Sequence, residues 1–276
     1  MAHVVTAGLS AQVLFQCEPV LRAVVTRWHL GHTIVGLSIA LGQFLPAHLL
    51  QRLRSALFRF SERVYDWRYG IFSEGEILAS ELGFTEKSCH DYMATGYIRF
   101  RQLMSQIEIR DNDVFLDYGS GLGRAVILAA TYPFRKVIGV ELAADLHKRA
   151  AENVRRAVKR LRCRDIELYN VDARRFRIPP EVTVIYLWNP FDGEVLREVF
   201  DNIQRSIVEH PRPVTVLHLS PRNPTPLDEM KDSLPWLKES KRIRFGAQSL
   251  AVFYTCGAAE ASAALSTSLS ALAQAT

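Results

Sequence analysis

Cysteine is scarce in this 276-residue chain: Cys17, Cys89, Cys163 and Cys256 are spread along its length. That spacing excludes a zinc knuckle or a C-x-x-C redox pair and predicts reduced thiols in a cytoplasmic protein. A secretory leader is not expected either, because the first residues carry no basic stretch ahead of an apolar core and cleavage motif. Long hydrophobic runs are missing too. The most apolar part, His32 to Leu50, is preceded by Gly31 and interrupted by Gln43, Pro46, His48 and glycines 36 and 42. A membrane span needs about 20 continuous apolar residues, so a buried or interfacial helix is predicted instead. The histidines form no Ser/His/Asp set and no metal-ligand cluster. His90, in His90-Asp91-Tyr92, and His218, in an apolar strand, are the two placed to reach a site, and a structural role suits each as well.

What is present is concentrated in Val114-Phe-Leu-Asp-Tyr-Gly-Ser-Gly-Leu-Gly-Arg124. Val114 to Leu116 form an apolar run of strand type, and Val126, Ile127, Ala129 and Ala130 begin a helical pattern. The turn between them holds glycines at 119, 121 and 123, which permit positive φ and let backbone amides approach a ligand. A dinucleotide cradle requires G-x-G-x-x-G; here the spacing is G-x-G-x-G, with Asp117 two positions ahead of it.

Two further strands repeat the arrangement. Lys136-Val-Ile-Gly-Val140 ends in Glu141, placed to accept hydrogen bonds from ribose hydroxyls. A helix from about Ala143 to Arg160 leads to Ile166-Glu-Leu-Tyr-Asn-Val171, which ends in Asp172-Ala173. A fourth strand, Val182 to Trp188, runs into Asn189-Pro190-Phe191, and an amphipathic helix follows over Asp192 to Glu209. Asn189-Pro190 also suits a strand-stopping turn, with Asp192 as the helix N-cap. Pro213 to Leu219 is the fifth strand; 241–245 and 249–255 are the sixth and seventh.

Asp117-Tyr-Gly119-Ser120-Gly121-Leu-Gly123 resembles motif I of class I S-adenosylmethionine (SAM) dependent methyltransferases. The resemblance implies an α/β Rossmann-like sheet of seven strands, the last inserted antiparallel, with SAM as cofactor. It implies cofactor contacts from Asp117, Gly119, Ser120, Gly121, Gly123 and Glu141, and from Asp172 and Ala173 at the adenine. An aromatic ahead of motif I closes over the cofactor in related families, a part for Tyr92 or Tyr97. Asn189, Pro190 and Phe191 resemble, with one proline fewer, the catalytic (Asp/Asn/Ser)-Pro-Pro-(Tyr/Phe) motif of enzymes that methylate nitrogen. There the Asn side-chain carbonyl accepts from the attacking N–H. Tyr65-Asp-Trp-Arg-Tyr-Gly70, Tyr92, the glycine turn, Phe134-Arg-Lys-Val-Ile-Gly-Val-Glu141 and Ala150-x-x-Asn153 are similar to a bacterial methyltransferase group with poorly defined substrates. The turn and the Phe134 strand are also similar to the Dot1-like lysine methyltransferases. The chain departs from the commoner pattern at Tyr118 and Leu122.

The expected organisation is a helical N-terminal extension or lid over 1–100, a SAM-binding methyltransferase domain over 101–257 and an Ala/Ser-rich disordered tail over 258–276. The net charge is +5, with Arg155, Arg156, Lys159, Arg160, Arg162 and Arg164 at one helix end and Arg174, Arg175 and Arg177 after the third strand. Such clusters are solvated helix faces or bind phosphate of nucleic acid or lipid. Arg52, Arg54, Arg59 and Arg63 beside the apolar N-terminal helices leave peripheral membrane contact as an alternative. A cytoplasmic SAM-dependent methyltransferase is the leading expectation, with a protein lysine or other amine as acceptor. The alternatives are O-methylation of a small metabolite or glycan, and a non-catalytic SAM-fold binding protein.

Overall fold

The computed structural model describes residues 46–264 apart from 74, 79, 83–90, 246–248 and 258. The part of the expected helical extension ahead of residue 46, together with Cys17, Cys89 and His90, lies outside the described residues. The chain divides into two compact units after Val64, so residues 65–100 belong with the second unit. In the first unit the described part is the beginning of a helix, α1 (Ala47–Tyr69), which runs on into the second. Among the described residues no helix is long and apolar enough to cross a membrane.

The second unit is built on a sheet in which β3 (Val114–Tyr118) is flanked by β4 (Lys136–Glu141) and β6 (Val182–Trp188), all parallel. β5 (Ile166–Asn170) pairs outside β4, and β7 (Val214–Ser220) outside β6. The sheet ends in antiparallel β9 (Ser249–Cys256) and β8 (Lys238–Phe245), giving the order β5-β4-β3-β6-β7-β9-β8. This is the seven-stranded α/β sheet that the sequence motifs imply. A small antiparallel pair, β1 (Glu76–Ile77) and β2 (Tyr92–Met93), stands ahead of it.

Alternation along the central strands distributes the core to both faces of the sheet. Val114, Leu116 and Tyr118 pack on one face with Val199, Phe200 and Ile203 of α5 (Gly193–Glu209). Phe115 packs on the other with Phe100 of α2 (Tyr97–Met104) and with the buried apolar residues of α3 (Arg124–Ala129). A Cβ on Gly123 would stand 3.1 Å from that of Ala150, so this glycine permits the close approach of α3 to α4 (Ala144–Ala157). A short helix, α6 (Pro226–Met230), is closed by a capping box between Thr225 and Asp228. Cys163 and Cys256 are buried free thiols. The first part of the expected tail is ordered: 259–264 is helical, Ala261 is fully buried, and its carbonyl accepts from Gln204 at 2.9 Å.

The strand order reverses direction at β3, where β4 lies to one side and β6 to the other. Open α/β sheets bind ligands at the carboxyl ends of strands at such a reversal. The glycine turn leaves β3 at that end.

Candidate functional site

The turn is fixed by backbone pairing before any ligand is considered. The Gly119 and Ser120 amides both donate to the Val140 carbonyl, at 2.9 and 3.0 Å, which ties the turn to the end of β4. Glycines 119, 121 and 123 all take positive φ, at 72°, 52° and 80°. Gly121 also lies under an aromatic ring: a Cβ there would come within 2.3 Å of Tyr92 Cε2, and one on Gly119 within 2.5 Å of Pro190 Cβ. Tyr92 and Pro190 thus approach the same backbone turn.

Acidic groups converge beside it. Both Glu141 oxygens accept backbone amides, Oε2 from Gly121 at 2.7 Å and Oε1 from Ala143 at 2.8 Å. A carboxylate has about four acceptor sites, so Glu141 keeps capacity for a ligand's hydroxyl donors. Burial nevertheless holds its pKa above the ordinary carboxylate range. Asp117, 2% exposed, makes no side-chain hydrogen bond among the described residues. Its pKa is raised well above the usual value, first by burial and then by the neighbouring Glu141 charge. Asp172 behaves in the opposite way: the Arg174 guanidinium grips it, with Nη2 to Oδ2 at 2.6 Å, and lowers its pKa.

A cleft of about 100 Å³ opens between these elements and is lined by Tyr92, Gly119, Gly121, Glu141, Asp172, Ala173, Pro190 and Phe191. Those eight expected site residues therefore come together. Four others are not among the lining residues. Asp117, Ser120 and Gly123 are buried, Gly123 packing on α4 and the Ser120 Oγ without a hydrogen-bond partner, while the partly exposed Asn189 adjoins the lining residue Pro190. Asn189 adopts φ 40°, the sole positive φ of a non-glycine among the described residues, and its buried Oδ1 has no partner. Asp192 does stand at the N-cap of α5, without a capping bond, and its carboxylate pairs with Arg222 at 2.9 Å. His218 is buried in β7, where desolvation lowers its pKa to about 4.

Sequence spacing carries no sign of a buried charged network that holds Tyr92 in place. Asp66 of α1 accepts from the Ser73 amide at 2.9 Å and from the Tyr97 hydroxyl at 2.5 Å, and it pairs with Arg124 at 3.3 Å. Arg124 donates Nε to Ser73 Oγ at 2.8 Å and lies over the Tyr97 ring at 4.6 Å. The Ser73 carbonyl then accepts from the Tyr92 hydroxyl at 2.9 Å. Asn153 adds a second clamp, donating Nδ2 to the carbonyls of Phe72 and Leu122 at 3.1 and 2.9 Å. Asp66, Tyr97, Arg124 and Asn153 all fall in stretches that the sequence resemblance picks out, but nothing in their spacing joins them. They are distant in sequence and meet only through the fold.

Two buried acids, Asp117 and Glu141, thus stand at the carboxyl ends of β3 and β4, one of them without a hydrogen-bond partner among the described residues. Fold and site together define a class I SAM-dependent methyltransferase.

The chain belongs to the family described as histone methylation protein DOT1, whose sequence model matches residues 84–224. No curated protein matches it significantly. Solved structures similar to it include an RNA methyltransferase from Salinibacter ruber in complex with S-adenosyl-L-homocysteine, at 21% identity over 60% of this chain and 94% of that one, TM-score 0.44. Another is a SAM dependent methyltransferase from Aquifex aeolicus, at 13% identity over 57% of this chain and 89% of that one, TM-score 0.46. A third is a ribosomal protein L11 methylase from Lactobacillus delbrueckii subsp. bulgaricus, at 14% identity over 58% of this chain and 78% of that one, TM-score 0.45.

Proposed function

We propose that the acceptor is a nitrogen, in a protein lysine or another amine, and that Asn189 orients it. The observation that carries this reading is the conformation of Asn189: a left-handed backbone at φ 40° and a buried side-chain oxygen with no hydrogen-bond partner. A non-glycine residue in that region costs on the order of 1–3 kcal/mol. An unsatisfied buried acceptor adds a further cost. An acceptor N–H donating to Asn189 Oδ1 would offset that cost and aim the nitrogen lone pair into the cleft. Phe191 and Pro190 line the same cleft and would exclude water from the approach.

SAM, when bound, supplies the methyl group of a sulfonium. Glu141 would accept the ribose hydroxyls, Asp117 would balance the positive charge, and the Gly119–Gly123 backbone would admit close approach of the methionine portion. Asp172 and Ala173 would border the adenine, and Tyr92 would cover the turn. In-line displacement depends chiefly on proximity and orientation. The acceptor amine must be unprotonated, and a free lysine has a pKa of about 10.4, so turnover is expected to rise with pH through the alkaline range.

The test incubates the protein with labelled SAM and, in parallel, core histones, a lysine-rich peptide and small amines, followed by acid hydrolysis and amino-acid analysis. Label recovered as N-methyl product supports the reading. Label released by mild base, as from an ester, or found in an ether overturns it. In the same assay Asn189→Ala should lower kcat by about 10²-fold while the SAM Kd stays within twofold. An unchanged kcat removes Asn189 from the proposal.

A further inference from the structure

A second cavity, of about 500 Å³, opens between the segment after β5 and the C-terminal half of α5. Its lining includes Arg174, Arg175 and Arg177 from the first and Arg205 from the second, against one carboxylate, Glu209. Arg174 is engaged with Asp172. Arg175, Arg177 and Arg205 are exposed, and no carboxylate pairs with them among the described residues. Arg175 has only a through-space effect on Asp172.

These side chains are also not spent on the fold. The nearby C-terminal end of α5 is capped by Arg212, which donates to the Ser206 and His210 carbonyls at 2.9 and 2.8 Å and to Val182 O at 2.7 Å. Gathering unpaired guanidinium groups around a concavity raises their mutual repulsion, which an anion would relieve. The buried rings and branches of Phe176 and Ile178 give the cavity an apolar floor. Its volume lies in the range of small-ligand sites, about 300–1,000 Å³. Guanidinium forks match phosphate oxygens bidentately. An apolar floor suits the organic part of a phosphate ester.

We propose that this cavity binds the phosphate groups of a nucleotide, free or within a strand. The cavity shares Arg174 with the lining of the cofactor cleft but is otherwise formed by different residues. The inference stands on its own lining and does not depend on the identity of the methyl acceptor.

The experiment uses the full chain and three probes: pyrophosphate and ATP by calorimetry, and a fluorescein-labelled single-stranded RNA 12-mer by anisotropy at two salt concentrations. The variant Arg175→Ala/Arg177→Ala/Arg205→Ala is compared with a control in the other basic cluster, Arg155→Ala/Lys159→Ala/Arg162→Ala. The wild type is expected to bind at least one probe, the triple variant to bind it at least tenfold more weakly, and the control to bind within twofold of wild type. If the 12-mer is bound, its salt slope should become shallower by about 2 in the triple variant, at about 0.7 per phosphate contact on a single strand. ATP binding at least as tight as the 12-mer assigns a free nucleotide; binding of the 12-mer alone assigns a strand. No binding of any probe, equal binding by the triple variant, or equal loss in the control overturns the proposal. Circular dichroism verifies the fold, and Arg205→Gln alone, at an exposed position, serves if the triple variant does not fold.

Discussion

Replacing Asp117 by Asn should stabilise the ligand-free protein and weaken its cofactor binding, two effects of opposite sign from one carboxylate. Asp117 is 2% exposed, has no hydrogen-bond partner among the described residues and faces the charge of Glu141. An ionised group buried without compensation costs at least about 1–3 kcal/mol. The Asp117→Asn side chain would keep the shape without the charge, so the variant should gain roughly that amount. For a unit of this size each kcal/mol corresponds to about 2–4 °C in Tm. The pKa of Asp117 in the fold lies above its ordinary value near 3.8. Folding therefore favours the protonated form, and wild-type stability is lost as pH rises from about 3.8 through the elevated value. The advantage of the Asn variant should be absent below that window and complete above it. A bound sulfonium favours the ionised form, so SAM binding within the window should release protons, measurable by calorimetry in buffers of different ionisation enthalpy. Loss of a charge-assisted interaction of about 1.5–3 kcal/mol weakens the Kd by about 10- to 150-fold. Urea titrations across pH with and without SAM measure both effects. A variant less stable at neutral pH, with unchanged SAM affinity, would refute the reasoning and make Asp117 a structural residue.

Other perturbations follow from the same geometry. Gly121→Ala introduces a Cβ 2.3 Å from the Tyr92 ring at a positive φ; SAM affinity and stability should fall together by at least about 1 kcal/mol, and Tyr92→Ala in the same chain should recover part of the stability. No recovery would mean that the ring is not what closes over the turn. Arg124→Met leaves Asp66 buried beside Tyr97 without its cation, with an expected loss of about 3–5 kcal/mol by urea unfolding; a loss under about 1 kcal/mol would show that the pair does not organise the segment before β3. Asn189→Gly should relieve the left-handed backbone, raising stability by about 1 kcal/mol while kcat falls; equal kcat would detach the strain from catalysis. His218, at a pKa of about 4 through burial, binds its proton more readily in the unfolded chain. Stability should therefore be lost as pH drops from about 6.5 through 4, by about 3 kcal/mol. In His218→Leu this sensitivity should disappear, and its persistence in equilibrium melts would place it elsewhere.

Local structure was legible in the order of the residues. Consecutive apolar runs ending in Asp117, Glu141 and Asp172, joined by a G-x-G-x-G turn and amphipathic helices, specified parallel strands and the end of the sheet at which a ligand sits. Those signals can be read because strand, turn and helix each need particular residues within a few positions of one another. What those residues face was set by the packing of distant elements. Packing buried Asp117 without a partner, whereas Asp172, also an acid at a strand end, is held locally by Arg174 two residues on. It joined Asp66, Ser73, Tyr97 and Arg124 into one network over Tyr92, residues whose spacing carries no period because they lie on separate elements. It also placed Arg205 of a helix opposite Arg175 and Arg177 of a loop. Hydrogen-bond partners and solvent exclusion depend on which elements become neighbours, and a linear pattern does not record that.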